Sequence, residues 1–450
     1  MPNLDAKQTR RNAITSGAMT VAGVSVIGAA CGPGTSPAAP QAAKTLPAEI
    51  TWMGWSMGQE FLLPAYEEAA NSFSEKHPDS KITLAPAGGN YREKYTTLIA
   101  SGTPPDVADV HWQRHVRDAG AGGLTMDLTT YLKVDAYPKD YVGWEPYAWK
   151  GKQYGVPWAV QSTGLFYNKS LFDEAGLGYP SENWTWDQFV ETAQRLTKPG
   201  PDEDSTVWGA GDQGGRNHGW INGLLFAFGG ALFSPDFATV RLNEPKSLQA
   251  VEFRAAWGPR LKIARNVPTG TSGLFHQGKA AMVTSGSWYV ASVKGNAQSA
   301  LTTGQIPWDV APVPRGPARH GGLTHELGIG IPTGVTNPDA SWIALRHLTS
   351  PAGLLPFAHL GRTIPPQKSL WKETIPTDGT PPGFKKTFLD QWEKLNVMSP
   401  FTPRFNDIVP IWEEEMDPVW TGQRPARDGV AAASSRMQDF LRQLKSEGLL

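Results

Sequence analysis

Apolar and polar positions in the first part of the chain follow the order strand, helix, strand, helix, strand. The predicted segments are strands at 49–55, 81–86 and 106–110 and helices at 60–77 and 90–101. In the first helix, Leu62, Tyr66, Ala69 and Phe73 recur at intervals of three and four, and Pro78 lies just beyond its end. This order predicts a parallel sheet with helices on both faces.

A second α/β series begins at residues 166–168. Its predicted elements are helices at 186–196, 247–256, 339–349, 383–395 and 430–446 and strands at 280–285 and 329–332. The loop after the first strand, WSMGQE at 55–60, lacks a Gly-rich phosphate-binding sequence, so a nucleotide-binding Rossmann domain is disfavoured. Single cores stop growing at about 250–300 residues, and a chain of 450 residues is therefore expected to form two lobes.

The N-terminal segment has the pattern of an export signal. Arg10 and Arg11 precede an apolar, Gly/Ala/Ser/Thr-rich run at 13–30, and Cys31 follows directly. The run is only moderately hydrophobic and barely long enough to span a membrane, which favours a signal peptide over residues 1–31, and the arginine pair favours the Tat route over general secretion. Residues 32–48, rich in Pro, Ala and Ser, are expected to form a flexible tether.

Charge and composition exclude some classes of partner. Lys and Arg number 41 against 42 Asp and Glu, so neither nucleic acid nor an anionic membrane surface is expected to attract the protein electrostatically. Cys31 is the only cysteine, which rules out an intramolecular disulfide. The 18 Trp residues, with abundant Gly and Pro, are typical of a folded, loop-rich chain with aromatic surfaces.

Six short motifs in order carry a resemblance to a known family. They are ASGTPPDV at 100–107, YGVP at 154–157, TGLFYNKSLFDEAGL at 163–177, TWDQF at 185–189, LNEP at 242–245 and GKAAMV at 278–283. Together they resemble the family 1 extracellular solute-binding proteins that serve ABC importers, a largely sugar-binding group. The resemblance extends from about residue 49 onward and does not fix the ligand.

The resemblance implies a periplasmic-binding-protein-like fold, in which two discontinuous α/β lobes with parallel-type sheets are joined by a hinge. The expected limits are 49–157 plus about 280–330 for lobe I, and 158–279 plus about 331–450 for lobe II. It also implies delivery of the ligand to ABC permease subunits by a monomer. Cys31 resembles the lipid-bearing cysteine of a lipobox, although Gly28 stands where that motif has Leu. A lipid-anchored extracytoplasmic protein is expected, with a soluble secreted protein as the alternative.

Aromatic residues near the ends of strands are the main candidates for ligand binding, because a flat indole matches the apolar face of a sugar ring. Trp55, Trp112 and Trp288 follow predicted strands. The other candidates are Trp158 in the segment YGVPW, Tyr91 at the start of the second predicted helix, and Trp220. Other tryptophans lie within helical patterns and are expected to pack in the core, namely Trp186, Trp257, Trp342 and Trp392.

Polar candidates for the hydroxyl rim of a sugar are Asp109, Glu326 and Arg362, followed by the amides Gln59 and Gln161. Asp109 ends the third predicted strand and has an alternative role as a helix N-cap. For Glu326 the alternative is an ordinary surface carboxylate. Arg362 lies in the Gly/Pro-framed sequence GRTIPPQ, whose counterpart in the family often lines the site.

The sequence has no motif that indicates catalysis. HExxH, GxSxG and a nucleophilic cysteine are all missing, and no cofactor is expected. His111 and His115 are four residues apart, but no further residue completes a metal-binding set. The prediction is a carbohydrate-binding protein without enzymatic activity. Two alternatives stay open, a secreted carbohydrate-active enzyme and a binding protein for a non-sugar solute such as a polyamine or a phosphate ester.

Overall fold

A computed structural model describes residues 45–87, 90–111, 122–212, 218–295, 306–375, 381–395 and 402–450. The expectations for Arg10, Arg11, Cys31 and most of the tether lie outside these residues. So do Trp112, His115 and the side chain of Trp220. The described part of the chain contains no helix that is long and apolar enough to cross a membrane.

The strands occur in the predicted order. They are β1 Glu49–Met53, β2 Lys81–Leu84, β3 Val107–His111, β4 Ala148–Trp149, β5 Lys152–Gln153, β6 Val156–Asn168, β7 Trp208–Gly211, β8 Ala280–Gly286, β9 Trp308–Ala311 and β10 Thr324–Gly330. Strand β6 is 13 residues long and buried throughout, as expected of a strand covered on both faces.

The helices lie between these strands and at the C-terminal end. They are α1 Leu63–Lys76, α2 Tyr91–Ala100, α3 Thr129–Val134, α4 Lys169–Glu174, α5 Trp186–Leu196, α6 His218–Phe228, α7 Pro245–Ala255, α8 Gly273–His276, α9 Tyr289–Gly295, α10 Pro338–Leu348, α11 Pro351–His359, α12 Asp390–Leu395, α13 Ile408–Trp420 and α14 Ala426–Ser446. Short helical turns also occur in the described residues, at Glu60–Leu62, Glu145–Tyr147, Lys368–Thr374, Lys385–Leu389 and Phe405–Asp407.

Local sequence explains where several helices begin. Asn90 caps α2 by accepting a hydrogen bond from the Glu93 N–H. In α5, the Thr185 side chain accepts from the Gln188 N–H while the Gln188 side chain accepts from the Thr185 N–H. This reciprocal pair is a capping box, and it fixes the start of the helix within the TWDQF motif.

One mixed sheet runs through the molecule in the order β2-β1-β3-β10-β6-β8-β7, with β9 also paired to β6. Its two ends are parallel, as predicted, since β1 pairs in parallel with β2 and β3, and β7 with β8. The central pairs, β3 with β10, β10 with β6 and β6 with β8, are antiparallel. The sheet is therefore mixed, and the long β6 joins its two ends.

Three large groups of buried side chains and two small ones, around Tyr91 and around Tyr147, pack against this sheet in the described part of the chain. The first lies over β1, β3 and β10 around Trp52, Tyr66 and Phe357. The second lies around Phe189, Trp257 and Trp412, and the third contains Phe166 and Trp308. The tryptophans predicted to pack in the core are all buried, namely Trp186, Trp257, Trp342 and Trp392.

The distribution of elements between the cores differs from the lobe limits expected from the sequence. Helices α10 and α11 contribute Trp342 and Phe357 to the first core, although their residues were assigned to lobe II. Strand β8 pairs with β6 and β7, away from β1 to β3, although it was assigned to lobe I. Strand β10, and not β8, returns the chain to the first core. It pairs antiparallel with β3 on one edge and with β6 on the other.

Candidate ligand-binding site

Trp55 follows β1 and is the most exposed of the candidate aromatic residues whose side chains the structure describes. Its side chain is 43% exposed, while its backbone is fixed, because the Trp55 N–H donates to Asp109 Oδ2 at 2.8 Å. The Tyr91 ring supports the indole, with 5.4 Å between ring centroids. An aromatic surface that is held in place and open on one side can receive a ligand with little loss of side-chain entropy.

Tyr91 lies beneath Trp55 and is buried. Its hydroxyl donates to the Asp109 carbonyl oxygen at 2.6 Å and to the Met53 carbonyl oxygen at 3.2 Å. These bonds tie the start of α2 to β1 and β3. The predicted ligand contact at Tyr91 is therefore better described as a support for Trp55, since its own polar atom is already bonded within the protein.

Asp109 lies on β3 opposite Ile329 of β10 and is also buried. Besides the Trp55 N–H, it accepts a hydrogen bond from Trp52 Nε1 at 3.1 Å. Burial raises the pKa of Asp109 to about 6, and the two hydrogen bonds and the positive charge of Arg362 hold the pKa below the value that burial alone would give. Both carboxylate oxygens thus accept from the protein, and Asp109 positions Trp55.

The raised pKa of Asp109 gives a stability prediction with a defined sign. A group whose pKa is higher in the folded state stabilises it fully below the unfolded pKa, and that stabilisation is lost as pH rises through about 6. Asp109→Asn cannot titrate. We expect the variant's unfolding free energy, relative to the parent, to rise by about 2 kcal/mol between pH 4 and pH 7. Urea melts of both proteins across this pH range measure the difference in unfolding free energy. A difference that does not change with pH would contradict the raised pKa of Asp109.

Arg362 connects Trp55 to the centre of the sheet. Its Nη2 donates to Ser56 Oγ at 3.0 Å, and its carbonyl oxygen accepts from Gln161 Nε2 at 3.0 Å. Burial lowers the pKa of Arg362, while the nearby Asp109 and Tyr66 oppose this shift. Gln161, predicted as an amide contact to the ligand, instead holds the backbone of the Arg362 loop, and Gln59 is exposed.

Trp288 is half-buried and is linked to the Arg362 loop through Gln161 and His325. Gln161 is paired in register with His325 of β10, so their side chains share one face of the sheet. The His325 ring packs edge-on against Trp288, with 5.4 Å between centroids. A continuous series of contacts therefore runs from Trp55 to Trp288. We call this group the Trp55 site, and its members are Trp55, Ser56, Tyr91, Asp109, Gln161, Trp288, His325 and Arg362.

Gly286 sets the position of the Trp288 ring. A Cβ added at Gly286 would overlap the Trp288 indole, so Gly286→Ala must displace the ring. If Trp288 contacts ligand, the variant should lose about 1 kcal/mol of binding free energy, the contribution of one aromatic contact. Calorimetric titration measures this loss. Gly178→Ala is the matched control, because a Cβ at Gly178 meets open space. Equal affinity of both variants would remove Trp288 from the site.

Two candidates lie apart from the Trp55 site. Trp158 is 3% exposed and packs against Trp52 and Phe357 in the first core. Trp158 was expected to close the site; the structure places its ring in the first core, covered by other aromatic rings and apart from the Trp55 site. Glu326 is buried on the face of β10 opposite to His325, next to Tyr147, whose pKa it helps to raise.

Ser56 and His325 belong to the site but were not selected from the sequence. Ser56 directly follows Trp55 and offers a hydroxyl, which is a weak signal in a loop. His325 and Glu326 are adjacent in β10, so their side chains lie on opposite faces of the sheet. Choosing between them requires knowing which of these faces is on the side of Arg362. In the described part of the chain, no group of three or more His, Cys, Asp or Glu is arranged to hold a metal ion.

Solved structures share this architecture. An ABC substrate-binding protein of Listeria monocytogenes, solved with cycloalternan, superimposes with a TM-score of 0.75 at 22% identity, covering 89% of this chain and 99% of that one. UgpB of Mycobacterium tuberculosis, solved with glycerophosphocholine, gives a TM-score of 0.75 at 19% identity, covering 90% and 100%. The fold is that of an ABC substrate-binding protein, as the sequence predicted.

The sequence pattern of the bacterial extracellular solute-binding proteins matches residues 56–354, and the chain belongs to this family. The lactose-binding protein of Rhizobium radiobacter is 23% identical over 257 residues, which is 55% of this chain and 58% of that protein. The maltotriose-binding protein of Pyrococcus abyssi is 23% identical over 308 residues, 66% and 62% respectively. The chain thus aligns with less than two thirds of each relative's length.

Proposed function

We propose that this protein captures a carbohydrate, a mono- or oligosaccharide, at the Trp55 site and delivers it to the permease of an ABC importer. The half-exposed Trp55, held by Asp109 and supported by Tyr91, is the observation that carries the proposal. A fixed indole offers an apolar face to the C–H side of a sugar ring. The relatives named for lactose and maltotriose, and the neighbour solved with cycloalternan, support a sugar over other solutes.

The charges of the site favour an uncharged ligand. Asp109 accepts hydrogen bonds from Trp52 and Trp55 and faces the positive charge of Arg362. A polyamine needs carboxylates that are free to pair with it, and Asp109 is already occupied. A phosphate ester, the kind of ligand solved with UgpB, needs a free cation, and Arg362 is bonded to Ser56 and balanced by Asp109. A neutral sugar requires neither.

The two halves of the sheet would act as the two lobes. The lobe around the first core carries Trp55, Tyr91 and Asp109, and the lobe around the second and third cores carries β7, β8 and Trp288. Strands β6 and β10 cross between them. A ligand that touches both lobes stabilises their closed arrangement by its differential affinity for it. Release to the permease then requires modest affinity, about −8 kcal/mol or micromolar.

Titration calorimetry of the parent against a panel tests this function. The panel contains lactose, maltotriose, an arabinooligosaccharide, spermidine and glycerophosphocholine, and each ligand is recovered and analysed after incubation. We expect one sugar to bind at 1:1 stoichiometry and to be recovered intact. Cleavage of a sugar would favour a carbohydrate-active enzyme. Binding of spermidine or glycerophosphocholine without sugar binding would overturn the carbohydrate assignment.

We further propose that Cys31 carries a lipid that anchors the protein to the outer face of the cell membrane, with residues 32–48 as a tether to the folded body. The support is the position of this single cysteine after a small-residue run. Cys31→Ser should shift the protein from the membrane fraction to the soluble fraction without changing sugar affinity. Fractionation followed by immunoblotting measures this shift. A variant retained in membranes at the parental level would contradict lipid attachment.

A further inference from the structure

A concave surface that is separate from the Trp55 site lies over the second core. It has a volume of about 850 Å³ and lies where α5 and α14 begin, α7 ends and the loop at 315–317 passes. None of its lining residues belongs to the Trp55 site. We call it the arginine groove after four of its lining residues, Arg260, Arg315, Arg424 and Arg427. Its volume is within the range of about 300–1,000 Å³ found for small-molecule sites.

Backbone contacts fix the walls of the arginine groove. The Arg315 N–H donates to the Trp184 carbonyl oxygen at 2.7 Å, and the Arg315 carbonyl oxygen accepts from the Trp186 N–H at 3.1 Å. Gly316 lies so close to the Ala227 carbonyl that a Cβ there would overlap it. A Cβ at Gly422 would be 2.8 Å from Pro259 Cβ, so these two walls also touch. The guanidinium groups are thus presented from a preformed frame.

The arginine groove is lined by more positively charged than negatively charged side chains. Four arginines line it, against the two carboxylates of Asp187 and Glu252. Arg424 pairs with Glu415 at 2.6 Å. Within the described chain, the other three guanidinium groups make no ion pair or side-chain hydrogen bond. Arg260, Arg315 and Arg427 are exposed to solvent at one concave surface. They can therefore meet an anion without first breaking an internal bond.

Apolar side chains form the remainder of the lining. Phe253 is half-buried there, and Phe228 and Val419 are buried beside it. Guanidinium groups recognise carboxylates and phosphates by paired hydrogen bonds, while aromatic and aliphatic side chains favour an apolar framework. Inorganic phosphate alone would leave the apolar part of the groove unused. The combination suits a larger organic anion.

We propose that the arginine groove binds a small organic polyanion, in which two or three carboxylate or phosphate groups are carried on a partly apolar framework. The anionic groups pair with Arg260, Arg315 and Arg427, and the framework lies on Phe253. This inference goes beyond the proposed sugar-binding function and concerns a different surface, so the two can fail independently.

The test is titration of the full chain with benzene-1,3,5-tricarboxylate, which carries three carboxylates on an aromatic ring. We expect 1:1 binding with Kd about 10–100 µM at low salt, and binding of inorganic phosphate at least about tenfold weaker. The triple variant Arg260→Gln, Arg315→Gln, Arg427→Gln should weaken tricarboxylate binding at least about thirtyfold while keeping the parental Tm and sugar affinity.

A matched triple variant separates a site from a general charge effect. Arg195→Gln, Lys372→Gln, Arg442→Gln removes three exposed cations outside the groove and so reaches the same net charge. Parental binding by this control supports the proposal, and an equal loss in both triple variants overturns it. Absence of binding to the parent, or equally tight binding of phosphate, also overturns it. If the groove triple variant does not fold, Arg427→Gln alone should still weaken binding about threefold or more.

Discussion

Trp55→Ala is expected to reduce sugar affinity by about 2–4 kcal/mol, which is about thirtyfold to a thousandfold, with little change in Tm. The indole is 43% exposed, so its removal leaves no large internal cavity. The loss falls on binding, because the variant lacks both the stacking surface and the apolar area that the ligand covers. Calorimetry with the sugar identified from the panel, alongside a thermal melt, measures both quantities.

A matched control for Trp55 is available in Tyr179, which is also exposed and aromatic but lies next to Asp173 and Phe172. Tyr179→Ala should leave sugar affinity at the parental value. If Trp55→Ala also binds as tightly as the parent, the sugar does not stack on Trp55. The half-exposed indole then no longer supports the proposed function.

Trp158→Ala should have the opposite profile, a loss of about 3–5 kcal/mol in the free energy of unfolding. The Trp158 ring is 4.6 Å from Phe357, 6.2 Å from Trp52 and 6.5 Å from Tyr66, measured between centroids. Truncation would leave a cavity among these rings. The affinity of the folded fraction should stay within about threefold of the parent, because the side chain is covered by protein. Denaturant melts and calorimetry of the folded protein test both statements.

Trp158→Phe provides a graded comparison. Trp158 Nε1 has no hydrogen-bond partner in the described part of the chain, so phenylalanine loses volume but no polar contact. It should destabilise the fold by about 1–2 kcal/mol, less than alanine does. A Trp158→Ala variant with parental stability and abolished sugar binding would place Trp158 in the ligand site and contradict the structural role.

The first α/β unit was predictable because its signals are local. The spacing of Leu62, Tyr66, Ala69 and Phe73 marks α1 without knowledge of what it packs against. The order of β1, α1, β2, α2 and β3 follows from such patterns together with Pro and Gly at the boundaries. The family resemblance added the overall architecture, which the solved structures confirm.

The placement of α10 and α11 was not predictable from local pattern. Both helices are amphipathic or apolar segments that fit either core, and the sequence does not state which core receives them. Their place in the first core depends on the antiparallel pairing of β10 with both β3 and β6. That pairing is long-range, and strand propensities alone do not specify it.

Part of the candidate site was predictable, because some of its residues also have a recognisable local sequence setting. Trp55, Asp109, Arg362 and Trp288 were selected because they follow strands or lie in Gly/Pro-framed loops, and the structure connects them through contacts. Trp158 has the same residue type and a similar sequence setting but lies within β6, at the register shift opposite Leu327 and Gly328. Side-chain direction at such an irregularity depends on tertiary pairing, which the sequence does not show.

A crystal structure of the protein with the sugar identified from the panel would show directly whether the ligand lies on Trp55. We expect density for an intact sugar with a ring face on the Trp55 indole, within about 4 Å, and with Trp288 on the opposite side of the ligand. Asp109 should retain its hydrogen bonds to Trp52 and the Trp55 N–H. Density for the sugar elsewhere, with Trp55 uncovered, would contradict sugar binding at the Trp55 site.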